Sequence, residues 1–66
     1  MLRIQVNGEG RAVTAASVLA LVTELGLDPR KVAVERNLTI VPRSLYGDTT
    51  LTEGDRIELV QFVGGG

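Results

Sequence analysis

The sequence predicts an α+β domain in which one main helix packs across a single mixed sheet of four to five strands. Three observations carry this prediction. Apolar residues alternate with polar ones near both ends of the chain, and in one segment they recur at helical spacing. Residues that favour turns separate these segments. The 66 residues are enough for one domain, and their apolar fraction of 44% argues against disorder.

The first segment predicts a β-hairpin. Every second side chain of residues 2–6, "LRIQV", is apolar, as in a strand with one buried face. Asn7-Gly8 follows, and this pair favours a tight hairpin turn because both residues tolerate positive φ. We expect a weaker return strand over about residues 10–14, with Val13 pointing inward.

Residues 15–25 predict the helix. Thr14 or Ser17 is expected to cap its start, since a side-chain oxygen there can accept from a free backbone N–H. Gly26 is expected to end the helix in a left-handed turn, with Leu27 folding back onto it. The apolar stripe of this helix consists of Val18, Leu21, Val22 and Leu25.

The second half of the chain predicts another hairpin and a long last strand. Residues 32–44, "VAVERNLTIVPRS", are expected to turn near Asn37 and to leave the sheet at Pro42. In the turn-rich segment that follows, Leu51 is the residue expected to enter the core. After a tight turn, residues 56–63, "RIELVQFV", form the longest predicted strand.

The order hairpin, helix, hairpin, long strand fixes the expected topology. The last strand must return beside the first and parallel to it, through a right-handed crossover. This is the β-grasp, or ubiquitin-like, arrangement. We expect residues 1–63 to form that domain and residues 64–66 to form a flexible glycine tail.

Composition excludes several classes of function. There are no cysteines or histidines, so disulfides, the usual structural zinc sites, thiol nucleophiles and the commonest general base are missing. Seven basic and eight acidic residues, with one Tyr and one Phe, do not supply the basic face and stacking platforms that nucleic acid requires. The apolar runs are too short to span a bilayer, and the N-terminus lacks a signal-peptide stretch. We therefore expect a cytoplasmic protein that is acted upon in chemistry and is not itself an enzyme.

Three stretches, "VAVERNLTIVPRS", "LTEGDRIE" and above all the ending "FVGGG", resemble the ThiS family, the ubiquitin-like sulfur carriers of thiamin biosynthesis. The resemblance covers the whole chain. It implies that an adenylyltransferase similar to ThiF uses ATP to adenylate the carboxylate of Gly66. Sulfur from a cysteine-desulfurase-derived donor then replaces AMP, and the resulting thiocarboxylate gives sulfur to a thiazole synthase similar to ThiG. No bound cofactor or metal is implied.

The glycine tail suits the role that this resemblance implies. Gly64 and Gly65 have no Cβ, so they can pass through a narrow channel and carry Gly66 into an enclosed site. A flexible tail loses entropy when it docks, so a second contact surface is expected on the domain.

The last strand indicates where that surface lies. If Ile57 and Leu59 point inward, strict alternation sends Val60 and Phe62 outward, and with Val63 they form a partner-binding patch at the root of the tail. A bulge near Val60 would instead turn Phe62 into the core. The sequence leaves both alternatives open.

Two other functions remain open on the residues alone. The carrier could deliver sulfur to molybdopterin, as the small subunit of molybdopterin synthase does, or the chain could be an interaction or modifier domain without sulfur chemistry.

Arg36 and Arg43 are expected on a solvated face, and Tyr46 over the edge of the core. Asp55 and the other turn acids are expected to serve solubility and local capping.

Overall fold

A computed structural model describes residues 1–62. Its one α-helix, α1, is Val18–Glu24. Two short 3₁₀ helices span Pro29–Lys31 and Arg43–Asp48. The strands are β1 (Leu2–Val6), β2 (Glu9–Val13), β3 (Val32–Arg36), β4 (Thr39–Val41) and β5 (Arg56–Gln61).

The five strands form one mixed sheet in the order β2-β1-β5-β3-β4. β1 and β5 are parallel, and the other neighbours are antiparallel. The last strand therefore lies beside the first, in the centre of the sheet, and the prediction of a mixed β-grasp sheet with one main helix is confirmed.

Two-residue turns with left-handed backbone close both hairpins. Asn7 and Gly8 have φ of 51° and 84°, as the Asn-Gly pair predicts. The second turn consists of Asn37 and Leu38, with φ of 52° and 71°. A leucine is unfavourable in this conformation because its Cβ approaches the following carbonyl oxygen. This turn therefore carries strain that a glycine would remove.

Helix α1 begins at Val18, directly after one of the two predicted caps. Ser17 is its N-cap, and its Oγ accepts from the Ala20 N–H at 3.1 Å. The Thr14 hydroxyl instead donates to Oε1 of Glu24 at 2.8 Å. At the other end Gly26 has a φ of 78°, and the Leu27 N–H returns to the helix, as predicted.

The core lies between α1 and the inner face of the sheet. Tyr46 is 3% exposed and donates its hydroxyl to the Val32 carbonyl at 2.7 Å, which holds the second 3₁₀ helix over the edge of the core. Leu51 is buried, as predicted. The buried apolar residues are Ile4, Val6, Val13, Ala15, Val18, Leu21, Val22, Val32, Val34, Val41, Tyr46, Leu51 and Ile57.

Candidate partner-docking surface

β5 presents different residues to the two faces of the sheet. Ile57 is fully buried and Leu59 is half-buried against the core. Val60 is 61% exposed and Phe62 is 53% exposed. The pairing of β5 with β3 is regular from Ile57 to Gln61, so no bulge reverses the alternation there. The structure therefore has the outward arrangement of Val60 and Phe62, and the bulge alternative is wrong.

The exposed apolar surface extends beyond β5. Ala33 lies directly opposite Val60, so their side chains share the outer face of the sheet. Ile40 is 72% exposed and lies opposite Glu35 on the same face. We refer to Ala33, Ile40, Val60 and Phe62 as the outer-face patch. Exposed apolar side chains that share one face of a sheet are typical of a binding surface.

Two of the four patch residues, Val60 and Phe62, were predicted from the sequence. Ala33 and Ile40 belong to the second hairpin, and only the register of β3 against β5 shows that they join Val60 on one face. For Ile40 a signal existed in "TIV", because Val41 is buried and its neighbour must then point outward.

A buried carboxylate holds the turn before β5. Asp55 is 5% exposed and directly precedes the first residue of β5. Its oxygens accept from Nε of Arg36 at 2.8 Å, Nη2 of Arg36 at 3.4 Å, Nδ2 of Asn37 at 3.1 Å and the Thr52 N–H at 2.8 Å. One side chain thus ties together the β3–β4 turn and the loop into β5.

These contacts set the ionisation of Asp55. Burial alone would raise the pKa of its carboxyl, but the hydrogen bonds from Thr52, Arg36 and Asn37 favour the charged form and leave the pKa below its usual value. The expectation that Arg36 lies on a solvated face is therefore wrong. Asp55 makes the predicted local cap, to the Thr52 N–H, but it is a buried partner of Arg36 and Asn37 and not a solubility residue. Arg36 is half-buried and paired, because a buried charge requires a partner.

Two turn asparagines fasten β5 along its length. Oδ1 of Asn37 accepts from the Arg56 N–H at 2.9 Å, where the strand begins. Oδ1 of Asn7 accepts from the Leu59 N–H at 2.8 Å, halfway along it. The strand that leads towards the chain end is therefore held by both hairpin turns as well as by its neighbours.

The remaining predicted site residues, Val63, Gly64, Gly65 and Gly66, lie outside the described residues. Among residues 1–62, no group of three or more metal-binding side chains comes together. The helix in that part of the chain is too short to cross a membrane.

The fold and the outer-face patch define a class of protein. It is a ubiquitin-like β-grasp domain whose last strand carries exposed apolar side chains and leads to the chain end. A family model places the chain more narrowly, since it matches residues 4–66. The chain belongs to the ThiS family.

Solved and sequenced relatives agree with this assignment. The crystal structure of the thiamine biosynthesis protein ThiS from Geobacter metallireducens superimposes with a TM-score of 0.81 at 32% identity, over 98% of this chain and 100% of that one. The chain is also 52% identical to a thiazole synthase of Paramagnetospirillum magneticum and 47% identical to one of Magnetococcus marinus, over 98% of its own length in each case. It spans only 20% of the length of these two relatives.

Proposed function

We propose that this chain is a sulfur carrier for thiamin biosynthesis, and that the carboxylate of Gly66 is the group that carries the sulfur. The observation that carries the proposal is the ThiS-family match, which runs through Gly66 itself. The ThiS structure from Geobacter metallireducens supports it, because this chain covers all of that protein.

The chemistry begins with a carboxylate, which is a poor electrophile. An adenylyltransferase uses ATP to convert the Gly66 carboxylate into an acyl adenylate, in which AMP is a good leaving group. The terminal sulfur of a persulfide on a cysteine-desulfurase-derived donor then attacks the acyl carbon and displaces AMP, and a thiol reductant supplies the two electrons that cleave the remaining S–S bond to the donor. The product is a thiocarboxylate, whose soft nucleophilic sulfur passes to a thiazole synthase.

The domain and the chain end have different roles in this proposal. The outer-face patch docks on the partner, while the residues after Phe62 place the reacting carbon in the partner's site. Four residues span at most about 13–14 Å when extended. Docking must therefore hold Phe62 within that distance of the reacting atoms, which explains why the exposed aromatic lies at the end of β5 and not elsewhere on the sheet.

Two enzymes are the expected partners in the cytoplasm. The first is a ThiF-like adenylyltransferase. The second is a ThiG-like thiazole synthase, which the two bacterial relatives support, because proteins named thiazole synthase contain a region similar to nearly all of this chain.

Intact-mass analysis tests the proposal. We expect the chain, incubated with a ThiF-like enzyme, ATP, a cysteine desulfurase, cysteine and a reductant, to gain the mass difference between one oxygen and one sulfur. A chain with one alanine added after Gly66 is the matched control, and it should not be converted. A stable bond to a lysine of another protein would instead show a modifier. Transfer of the sulfur to a molybdopterin synthase large subunit and not to a thiazole synthase would show the neighbouring carrier role.

A further inference from the structure

The two edges of β5 are not equally occupied. On the β3 side, pairing continues through the whole strand, from Ile57 opposite Arg36 to Gln61 opposite Val32. One residue further on, the Phe62 N–H still donates to the Lys31 carbonyl at 2.8 Å. This edge of β5 is complete as far as the structure describes it.

On the β1 side, pairing stops halfway. The parallel register joins only Gln5 to Arg56 and Val6 to Ile57. The last backbone bond on this side runs from the Asn7 N–H to the Ile57 carbonyl at 2.9 Å. Asn7 then adopts a φ of 51° and the chain turns away into β2.

The side chain of Asn7 takes the place of the missing strand for one residue. In a continuing parallel strand a main-chain carbonyl would accept the Leu59 N–H, and here Oδ1 of Asn7 accepts it at 2.8 Å. The pairing of β1 with β5 therefore ends at Asn7. Beyond it, no strand among residues 1–62 lies beside this edge of β5.

Strand geometry determines which groups face that space. Since Phe62 donates towards β3, alternation turns the N–H and carbonyl of Gln61 the other way, towards the β1 side, together with the carbonyl of Leu59. Within residues 1–62 no element pairs with them there. We refer to these three groups as the open edge of β5.

We propose that an extended segment of the adenylating enzyme adds to the open edge of β5 as a further strand. This inference rests on the proposed function. An unpaired pattern of one donor and two acceptors in extended geometry is complementary to another extended backbone. Val60 and Phe62 flank Gln61 and point to the outer face, so the added strand would border the outer-face patch and form one continuous surface with it. It would also hold β5 straight as far as Phe62.

A second copy of this chain offers the same groups. We assign the edge to the enzyme because the edge borders the outer-face patch on β5, the strand that leads to the group on which the proposed enzyme acts. A dimer of the free chain whose formation protects the Gln61 amide would overturn the assignment.

Amide hydrogen exchange provides the direct test. In the free chain we expect the Gln61 amide to exchange fast and the Phe62 amide slowly, because only Phe62 has a backbone partner. On binding to a ThiF-like enzyme, Gln61 should slow by at least about tenfold, as expected for one buried hydrogen bond. A Gln61 amide that is already protected in the free chain, or unchanged in the complex, would overturn the inference.

Proline substitutions give an independent measurement. Gln61→Pro removes the outward N–H, whereas Gln61→Ala keeps it and reports the contribution of the side chain alone. We expect the proline variant to bind the enzyme at least about fivefold more weakly than the alanine variant. Ala12→Pro is the matched control, because Ala12 lies on the outer edge of β2, at the other side of the sheet. It should bind like the unmodified chain.

The outcomes separate the two proposals. If the unmodified chain is not adenylated at all, the proposed function fails. If it is adenylated but Gln61→Pro and Gln61→Ala bind equally well, strand addition fails and the carrier function stands. Chemical shifts of the core residues check that each proline variant is folded, and the exchange measurement on the unmodified chain needs no variant.

Discussion

Replacement of Asp55 should remove a large share of the stability of this domain. The carboxylate is 5% exposed and accepts four hydrogen bonds, from Arg36, Asn37 and Thr52. Asp55→Ala leaves the Arg36 guanidinium, whose side chain is 31% exposed, without its charged partner. It also frees the Thr52 N–H and one donor of Asn37.

The magnitude follows from these contacts. Hydrogen bonds to charged groups contribute about 1.5–3 kcal/mol each, and half-exposed donors recover part of that from water, so we expect Asp55→Ala to cost about 2–4 kcal/mol. Asp55→Asn keeps the shape and an acceptor but loses the charge, and should cost about 1–2 kcal/mol. A domain of this length has roughly 3–10 kcal/mol in total.

Urea unfolding followed by circular dichroism measures both variants. Asp28→Asn is the matched control, because Asp28 also pairs with an arginine, Arg30, whose side chain is 83% exposed. Exposed ion pairs contribute little, so the loss of stability in Asp28→Asn should be much smaller than in either Asp55 variant. If Asp55→Ala unfolds at the same urea concentration as the unmodified chain, the network does not stabilise the fold and the reasoning is refuted.

The pH dependence supplies a second check on Asp55. Its pKa in the folded chain is lowered, so its contribution is fully present above the pKa of the unfolded chain, near 3.8, and is lost as the pH falls through the folded value. The stability difference between the unmodified chain and Asp55→Asn should therefore be constant near neutral pH and narrow below about pH 4. A difference that grows on acidification would contradict the assignment of the charged form.

Three further substitutions have distinct expected outcomes. Phe62→Asp should leave the urea midpoint unchanged, because Phe62 is 53% exposed, yet reduce adenylation by a ThiF-like enzyme at least about tenfold, as the loss of an aromatic interface residue does; a variant that unfolds would show that Phe62 packs in the core. Tyr46→Phe removes the hydrogen bond to the Val32 carbonyl and should lower the free energy of unfolding by about 1–2 kcal/mol, and no change would mean that water replaces the hydroxyl. Leu38→Gly relieves a φ of 71° at a side chain that is 75% exposed, and should raise that free energy by about 0.5–1 kcal/mol; a loss of stability would show that Leu38 makes contacts in the folded chain.

Local signals in the sequence predicted most of the fold. The Asn7-Gly8 pair, the apolar alternation of β1 and β5 and the helical spacing of α1 each depend on neighbouring residues, so they could be interpreted without the tertiary structure. The 3₁₀ helix at Arg43–Asp48 could not be predicted in this way, because it has no side-chain cap and is held by the hydrogen bond from Tyr46 to Val32 in β3.

The candidate site was predictable only in part, for the same reason. Alternation predicted that Val60 and Phe62 could point outward, but the choice against a bulge depends on pairing with β3, which is more than twenty residues away in the chain. The role of Asp55 depends on Arg36, 19 residues earlier. A carboxylate in a turn gives no local sign of whether such a distant partner will reach it.

The central position of β5 affects how the chain is made. β5 is the last of the five strands to leave the ribosome, yet it separates β1 from β3 and pairs with both. The two hairpins therefore cannot join into one sheet until synthesis has passed residue 61, and such non-local pairing also slows folding. A chain broken off before that point would therefore lack the strand that joins the two hairpins into one sheet.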